Sequence, residues 1–396
     1  MREIFIKQEE KQRQIILVEN GNMIEKYQEL PEKKRLEGNI YLGKVQNVLQ
    51  GMQAAFVDIG EGKNTFIHLK DVLPKKDTKQ EEISQEKLKQ INMKEHLSPG
   101  TPILVQVKRD ATHKKGARVS KHISIASRYL VFMPETDIIT ISQKIEKEEE
   151  KKRLLEIIKN CLPYNCGAII RTAAEGKKQE EIVEDIREVN RKWEEIKEKA
   201  KDKTKNFPRC IYEDDSLLKR ILRDLMHQKI DQIITNDKDT EKEIKQDLQE
   251  IGAFDIVTKR RDNEDILNIY DLHTQIEKAE NRKVWLKCGG FITIDKTEAL
   301  TAIDVNSGKY IGSKNLEETV YLVNKEASIE IAKQLRLRDI GGIVIIDYID
   351  MQEETNKEKI VEILKNELKK DRSKTQVLEF TKLNLLEMTR KHMCSN

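Results

Sequence analysis

Two short stretches of the sequence combine residue types and spacing suited to holding a cation beside a phosphate. Leu300-Thr-Ala-Ile-Asp-Val-Asn306 reads as a strand, so Asp304 and Asn306, two positions apart, project from one face and the amide can orient the carboxylate. Gly341-Gly-Ile-Val-Ile-Ile-Asp347 is a continuous apolar run of the kind found in a buried central strand, with Asp347 as the first polar residue at its carboxyl end. Ligands of open α/β sheets gather at that edge. Two carboxylates delivered there suit magnesium, which takes a few protein oxygens, keeps several waters and contacts phosphate. The alternative for both acids is a strand-end cap. For Asp350 the cap is the preferred reading, because Asp350-x-x-Glu353 ahead of a helical pattern is a capping-box signature.

Three further groups could meet a polyanion. Phe56 and Phe66 lie beside Gly60 and Lys63 among short strands; aromatics so placed on a small barrel stack on single-stranded bases, and the same rings could equally be core. The apolar strand Ala168–Arg171 ends in Arg171-Thr172, a planar two-pronged donor beside a hydroxyl, which suits a terminal phosphate monoester. Between Thr101 and Arg128, seven basic residues (Lys108, Arg109, Lys114, Lys115, Arg118, Lys121, Arg128) oppose one acid, Asp110. That strip is either phosphate-facing or an ordinary solvated face.

Other chemistries lack their residues. Gly38-x-x-x-x-Gly43-Lys44 imitates a phosphate loop, but Val45 stands where Ser or Thr must reach magnesium, and Ser307-Gly308-Lys309 lacks the leading glycine. The seven histidines form no His-x-x-His or Glu-x-x-His group, and no Gly-x-Ser-x-Gly elbow occurs. The five cysteines are odd in number and nowhere spaced Cys-x-x-Cys, so they are read as reduced thiols with no identifiable zinc site.

The elements that must position these residues follow from pattern and length. A chain of 396 residues exceeds one compact core, and 36% charged against 37% hydrophobic residues indicates long solvated helices. No run approaches the length of a membrane span and the first residues have no signal-type apolar region, so the cytoplasm is the expected location. Two short strands, Ile4–Ile6 and Ile15–Val18, precede Pro31. Regularly spaced short strands from Gly38 to Val72 predict a small β barrel. Residues 74–100, rich in lysine and glutamate, read as a solvated insertion in one of its loops. Helices are expected at about Glu146–Lys159 and Gln179–Lys201, the second with the stripe Ile182, Ile186, Val189, Trp193 and Ile196. Asp214-Asp-Ser216 should cap another helix reaching about Ile230, with Leu217, Leu218, Ile221, Leu222 and Leu225 as its core face. From Val284 onward, strands at Phe291–Ile294, Leu300–Val305 and Ile343–Ile346 alternate with helices at about Leu316–Leu335 and Thr355–Lys369. The whole reads as a multidomain α+β protein.

Taken together these segments resemble the catalytic half of the ribonuclease E/G family. The matching stretches, in family order, are Asn39–Lys44 with Ala54–Asp58, Tyr129–Pro134, Ile170–Thr172, Gly289-Gly290, Thr297–Asn306, Gln334–Asp339, Gly341–Met351 and Leu385–Met388. The resemblance implies a magnesium-dependent endoribonuclease of RNA processing and decay, which cuts single-stranded RNA to leave a 5′-phosphate and a 3′-hydroxyl and prefers 5′-monophosphorylated substrates. It implies a ribonuclease H-like domain (residues 1–37 and 213–280), an inserted OB-fold RNA-binding domain (38–120), a 5′-sensor region (121–212) and a DNase I-like catalytic domain (281–396). By motif, Asp304 and Asp347 would bind Mg2+ and Asn306 would orient Asp304. Arg171 and Thr172 would hold the 5′ monophosphate, with Val131 packing beside them, while Phe56, Phe66 and Lys115 would grip RNA. Lys374 stands where the family has an arginine, keeping the charge but losing the planar fork of an RNA contact. The family's Cys-x-x-Cys zinc link has no counterpart before Asn396, so its zinc-linked dimerisation is not expected of these residues, and homo-oligomerisation is left open. The rival reading is an RNA-binding scaffold with a silent hydrolytic site; the presence of both aspartates argues against it.

Overall fold

The computed structural model describes residues 1–10, 12–29, 35–74, 91–111, 116–202, 206–225, 228–262, 264–308 and 315–393. The chain divides into two compact units, one built from Met1–Lys33 with Gln228–Asn396 and the other from Lys34–His227.

The first unit holds two sheets. One has five strands in the order Val257–Arg260, Gln232–Thr235, Arg2–Glu9, Gln12–Glu19, Asn22–Glu29; its last three strands form an antiparallel meander and its first two run parallel to Arg2–Glu9. Two strands of that meander match the sequence pattern, and Asn22–Glu29 does not, because Glu25, Lys26 and Gln28 hide its apolar positions. Met23 and Tyr27 are nonetheless buried. The turn into it is Asn20-Gly21, both at positive φ, a pair that favours a two-residue hairpin.

The other sheet has six strands, ordered Lys283–Trp285, Phe291–Lys296, Leu300–Asn306, Gly342–Asp347, Leu385–Arg390, Thr375–Phe380, with only the Leu300 and Gly342 strands parallel. Helices Leu316–Leu337 and Glu354–Leu368 supply the core against it: Val323, Ala327, Ile331 and Leu335 with Ile360 and Leu364 meet Ile303, Val305, Val344 and Ile346. The period-2 geometry of a strand then turns Asp304, Ala302, Ile343 and Asp347 to the opposite, exposed face. The apolar run before Asp347 is therefore central in strand order but covered on one face only, with Ile343 49% exposed.

Asp350 does not cap the second of these helices. The residue at its N-cap is Glu353, whose side chain makes no capping bond. The end is closed from the other helix: Glu317 accepts the backbone N–H of Gln352 at 3.0 Å and of Glu353 at 3.2 Å, and the side-chain amide of Asn356 at 2.9 Å. Asp350 instead accepts from Asn384 Nδ2 at 3.2 Å.

The second unit contains a closed five-strand barrel, Ile40–Leu49, Ala54–Asp58, Thr65–His68, Arg118–Ser120 and Pro102–Arg109, closed by pairing of its first and last members, with Arg209–Tyr212 added on the outside of Ile40–Leu49. Gly43 is required there: a Cβ would lie 2.7 Å from Val57 Cγ1 and 2.8 Å from the Asp58 carbonyl. The phosphate-loop imitation is thus an ordinary barrel strand. Beyond it, Ile139–Ile141, Cys166–Ile170, Leu130–Pro134 and Ile125–Ala126 form a four-strand sheet. Helix Glu148–Cys161 packs into its core through Leu154, Ile157 and Ile158, and Gln179–Lys201 through the expected stripe, every residue of which is buried. The helix after Ser216 spans Leu217–Leu225, short of the expected Ile230, since residues 228–230 are not helical; Ser216 Oγ caps it by accepting the Lys219 N–H at 3.1 Å, and all five expected core residues are buried.

Candidate active site

Asp304 and Asp347 come from neighbouring parallel strands and are direct partners in the register, so their side chains leave the same face of the sheet side by side. Asn306 Nδ2 donates to Asp304 Oδ2 at 2.6 Å, which fixes the carboxylate and leaves its other oxygen available. Partial burial first, and then the charges of Asp304 and Asp350, raise the Asp347 carboxyl above its ordinary range. Like charges held in register by two strands favour a cation between them. The donor chemistry fits a hard divalent ion: two carboxylates on an open face, with remaining positions for water and phosphate oxygens. No cluster of three or more His, Cys, Asp or Glu side chains able to hold a metal occurs among the described residues.

The second unit carries the residues expected at an RNA 5′ end. Arg171 follows the strand Cys166–Ile170, and its backbone N–H bonds the Tyr129 carbonyl at 2.9 Å. Its guanidinium is already engaged: Nη1 donates to the Ser127 carbonyl at 2.7 Å and Nη2 pairs with Asp224. Thr172 exchanges a hydroxyl bond with Ser142 at 3.0 Å. Val131 is half-buried on the adjacent strand, opposite Ile169. Sequence reasoning does not single out Asp224. The pattern of its helix shows only an apolar face, and nothing in it announces a salt bridge spanning 53 positions.

On the barrel, Phe56 and Phe66 are register partners with ring centroids 5.9 Å apart, and His68 meets Phe66 edge-on at 4.7 Å. Both phenylalanines are half-buried and alternate along their strands with the buried Ala55, Val57, Thr65 and Ile67, so their rings lie on the outer face of the barrel. Burial first, then the charge of Arg118, lowers the His68 pKa and favours the neutral imidazole. The expected contributor Lys115 lies outside the described residues, as does Lys114. The basic strip is partly spent on internal pairing. Arg118 binds Asp71 at 2.7 Å, Arg128 binds Asp185 at 3.2 Å, and Lys108 reaches Ser124 Oγ at 3.1 Å. Arg109 and Lys121 are exposed, as is Lys374 in the first unit.

A model of the ribonuclease E/G family matches residues 124–393. Ribonuclease G of Haemophilus influenzae is 40% identical over 380 residues, covering 95% of this chain and 77% of that protein. Ribonuclease G of Escherichia coli (strain K12) is 37% identical over 385 residues, with the same two coverages. Ribonuclease E of Nostoc sp. is 36% identical over 365 residues, covering 91% of this chain and 52% of that protein. A family match over most of the chain, joined to relatives of this identity along nearly all of it, places the chain in the ribonuclease E/G family.

Proposed function

We propose that this chain is a magnesium-dependent endoribonuclease of RNA processing, acting on single-stranded RNA in the cytoplasm. The observation that carries the reading is the Asp304–Asp347 pair, in register on adjacent strands with Asn306 fixing one of them, in a member of a family whose relatives are named ribonucleases. No described helix is long and apolar enough to cross a membrane. The strand order of the five-stranded sheet supports a ribonuclease H-like domain, the closed barrel an OB-type RNA-binding domain, and the six-stranded sheet with its two helices a DNase I-like catalytic domain.

When bound, magnesium supplies Lewis-acid stabilisation of the phosphoryl oxygens and lowers the pKa of a coordinated water. Asp304 and Asp347 would hold the ion against the sheet face, and Asn306 would keep Asp304 from rotating away. Attack of water on phosphorus breaks the bond to the 3′ oxygen, leaving a 3′-hydroxyl on one fragment and a 5′-phosphate on the other. Phe56 and Phe66 would stack on bases of the strand, assisted by Lys115, with Lys374 as a point-charge contact to the backbone. Arg171, Thr172 and Val131 would receive a 5′ monophosphate. The test is cleavage of 5′-monophosphorylated single-stranded RNA with magnesium and then with EDTA. Cleavage confined to the magnesium arm supports the reading, and intact RNA bound in both arms points to a scaffold.

A further inference from the structure

Beside Asp304 and Asp347, on the same exposed face, lies an aromatic pair that the proposed hydrolysis does not use. Trp285 is the register partner of Phe291, and Phe291 is the register partner of Asn306, so the three side chains leave one face in a row across three adjacent strands. The indole and phenyl rings meet at 5.4 Å between centroids, inclined by 62°. Lys283, two residues before Trp285 on the same strand, holds its ammonium 4.1 Å from the Trp285 centroid and 3.5 Å from that of Phe291. Arg282 on the same edge forms a two-pronged pair with Asp295, 2.5 and 2.7 Å, and also feels the charge of Asp304.

Trp285 is 58% exposed, although indole is among the costliest surfaces to leave in water. A cross-strand aromatic pair steadies a hairpin wherever it lies, and that alone could explain Phe291. It does not explain an indole left open at the end of a row that runs into the carboxylates. Two strand spacings, about 10 Å, separate the Trp285 strand from that of Asp304, a span within reach of a nucleotide neighbouring the reactive phosphate. The cation over the rings supplies the charge complementary to a phosphodiester.

We infer that Trp285 and Phe291, with Lys283, form a stacking site for one nucleobase of single-stranded RNA next to the phosphodiester held at Asp304 and Asp347. The inference rests on the nuclease reading for the position of that phosphate. The platform fixes where along the strand the chain engages, and Lys283 neutralises the adjoining phosphate. Stacking discriminates weakly among bases, because each has a π face. The site therefore demands an unpaired nucleotide rather than a particular one.

The chain has two tryptophans, and Trp193 is buried, 5% exposed. Emission quenching on titration with a short 5′-monophosphorylated single-stranded RNA therefore reports on Trp285. The titration uses Asp304→Asn protein to prevent turnover, with an abasic nucleotide moved along the RNA, and is repeated with Trp285→Ala and Trp285→Phe added. The expected result is quenching that disappears with either added change, Kd weakened roughly five- to hundredfold by Trp285→Ala and much less by Trp285→Phe. One abasic position should weaken binding as much as Trp285→Ala does and add nothing to it. Equal Kd for Trp285→Ala, or a changed oligomeric state at unchanged RNA affinity, overturns the inference. Cleavage of the same RNA by the wild-type chain is followed in parallel. Cleavage without any Trp285 effect removes the platform and leaves the nuclease. Trp285-dependent, base-dependent binding without cleavage removes the nuclease and keeps the platform.

Discussion

Asp347 and Asp304 repel each other in the folded chain, and that repulsion is tolerated on a face where a divalent ion can relieve it. This yields an outcome specific to the site. In EDTA, Asp304→Asn or Asp347→Asn removes one of two like charges, so Tm should hold or rise slightly. With magnesium, the wild-type Tm should rise and that of either variant should not, because ion binding to the native state is lost. Cleavage should fall by at least about a hundredfold, since an amide is isosteric but a far weaker magnesium ligand. Asn306→Ala leaves both carboxylates in place and only frees Asp304 to rotate, so its loss of rate should be smaller than either aspartate variant's. Thermal scans with and without metal, beside single-turnover cleavage, check all three. A drop in Tm for the aspartate variants in EDTA would mean that the pair is a structural cap.

At the scale of elements, the parts legible in the sequence are those whose own periodicity is strong. The Ile182-to-Ile196 stripe, the Leu217-to-Leu225 face and the Leu300 and Gly342 strands all appear within a residue or two of the pattern, and with them the Asp304–Asn306 pair, since a spacing of two on a strand fixes the face. What escaped depends on partners distant in sequence. The polar strand Asn22–Glu29 is held by its neighbour, Arg171 is held by Asp224, and the helix Glu354–Leu368 is capped by Glu317 rather than by Asp350. Capping from another helix leaves no local signature. It does leave a measurable one. The Gln352 backbone N–H first, then the Asn356 amide, holds the Glu317 carboxyl below its ordinary range. A group with a depressed pKa contributes stability that is complete above the ordinary glutamate range and fades as pH falls through the lowered value. Glu317→Ala, which removes the acceptor, should therefore cost about 1 kcal/mol at neutral pH, in the range of a lost cap, and less in acid. Asp350→Ala should leave fraying of that helix unchanged. Amide exchange at Gln352 and Glu353 distinguishes the two, and greater loss for the Asp350 variant would restore the capping box.

For the whole molecule, the two compact units divide the chemistry: the carboxylates belong to the unit of residues 1–33 and 228–396, and the candidate 5′-end residues belong to the other. A change in one unit should therefore alter the choice of RNA without altering the cutting step, and RNA without a free end isolates the two effects. The engagement of Arg171 sharpens the expectation. Its fork is shared between the Ser127 carbonyl and Asp224, so a terminal phosphate bound as proposed would have to compete with Asp224 for the guanidinium. A monophosphate offers a compact set of oxygens to that fork and to Thr172, whereas a triphosphate brings further charge and bulk that the same donors cannot match. Wild-type chain should cleave 5′-monophosphorylated RNA faster than 5′-triphosphorylated RNA. Arg171→Lys replaces the planar fork by a point charge, and loss of a charge-assisted bond, about 1.5–3 kcal/mol, should lower that ratio by about tenfold to a hundredfold. Asp224→Asn removes the competitor and should raise the ratio. A circular RNA should be cut at one rate by all three proteins. Equal wild-type rates on the two linear substrates would make Arg171 a structural partner of Asp224 and nothing more. A parallel loss on the circle would show that the variant had damaged the fold rather than the reading of the end.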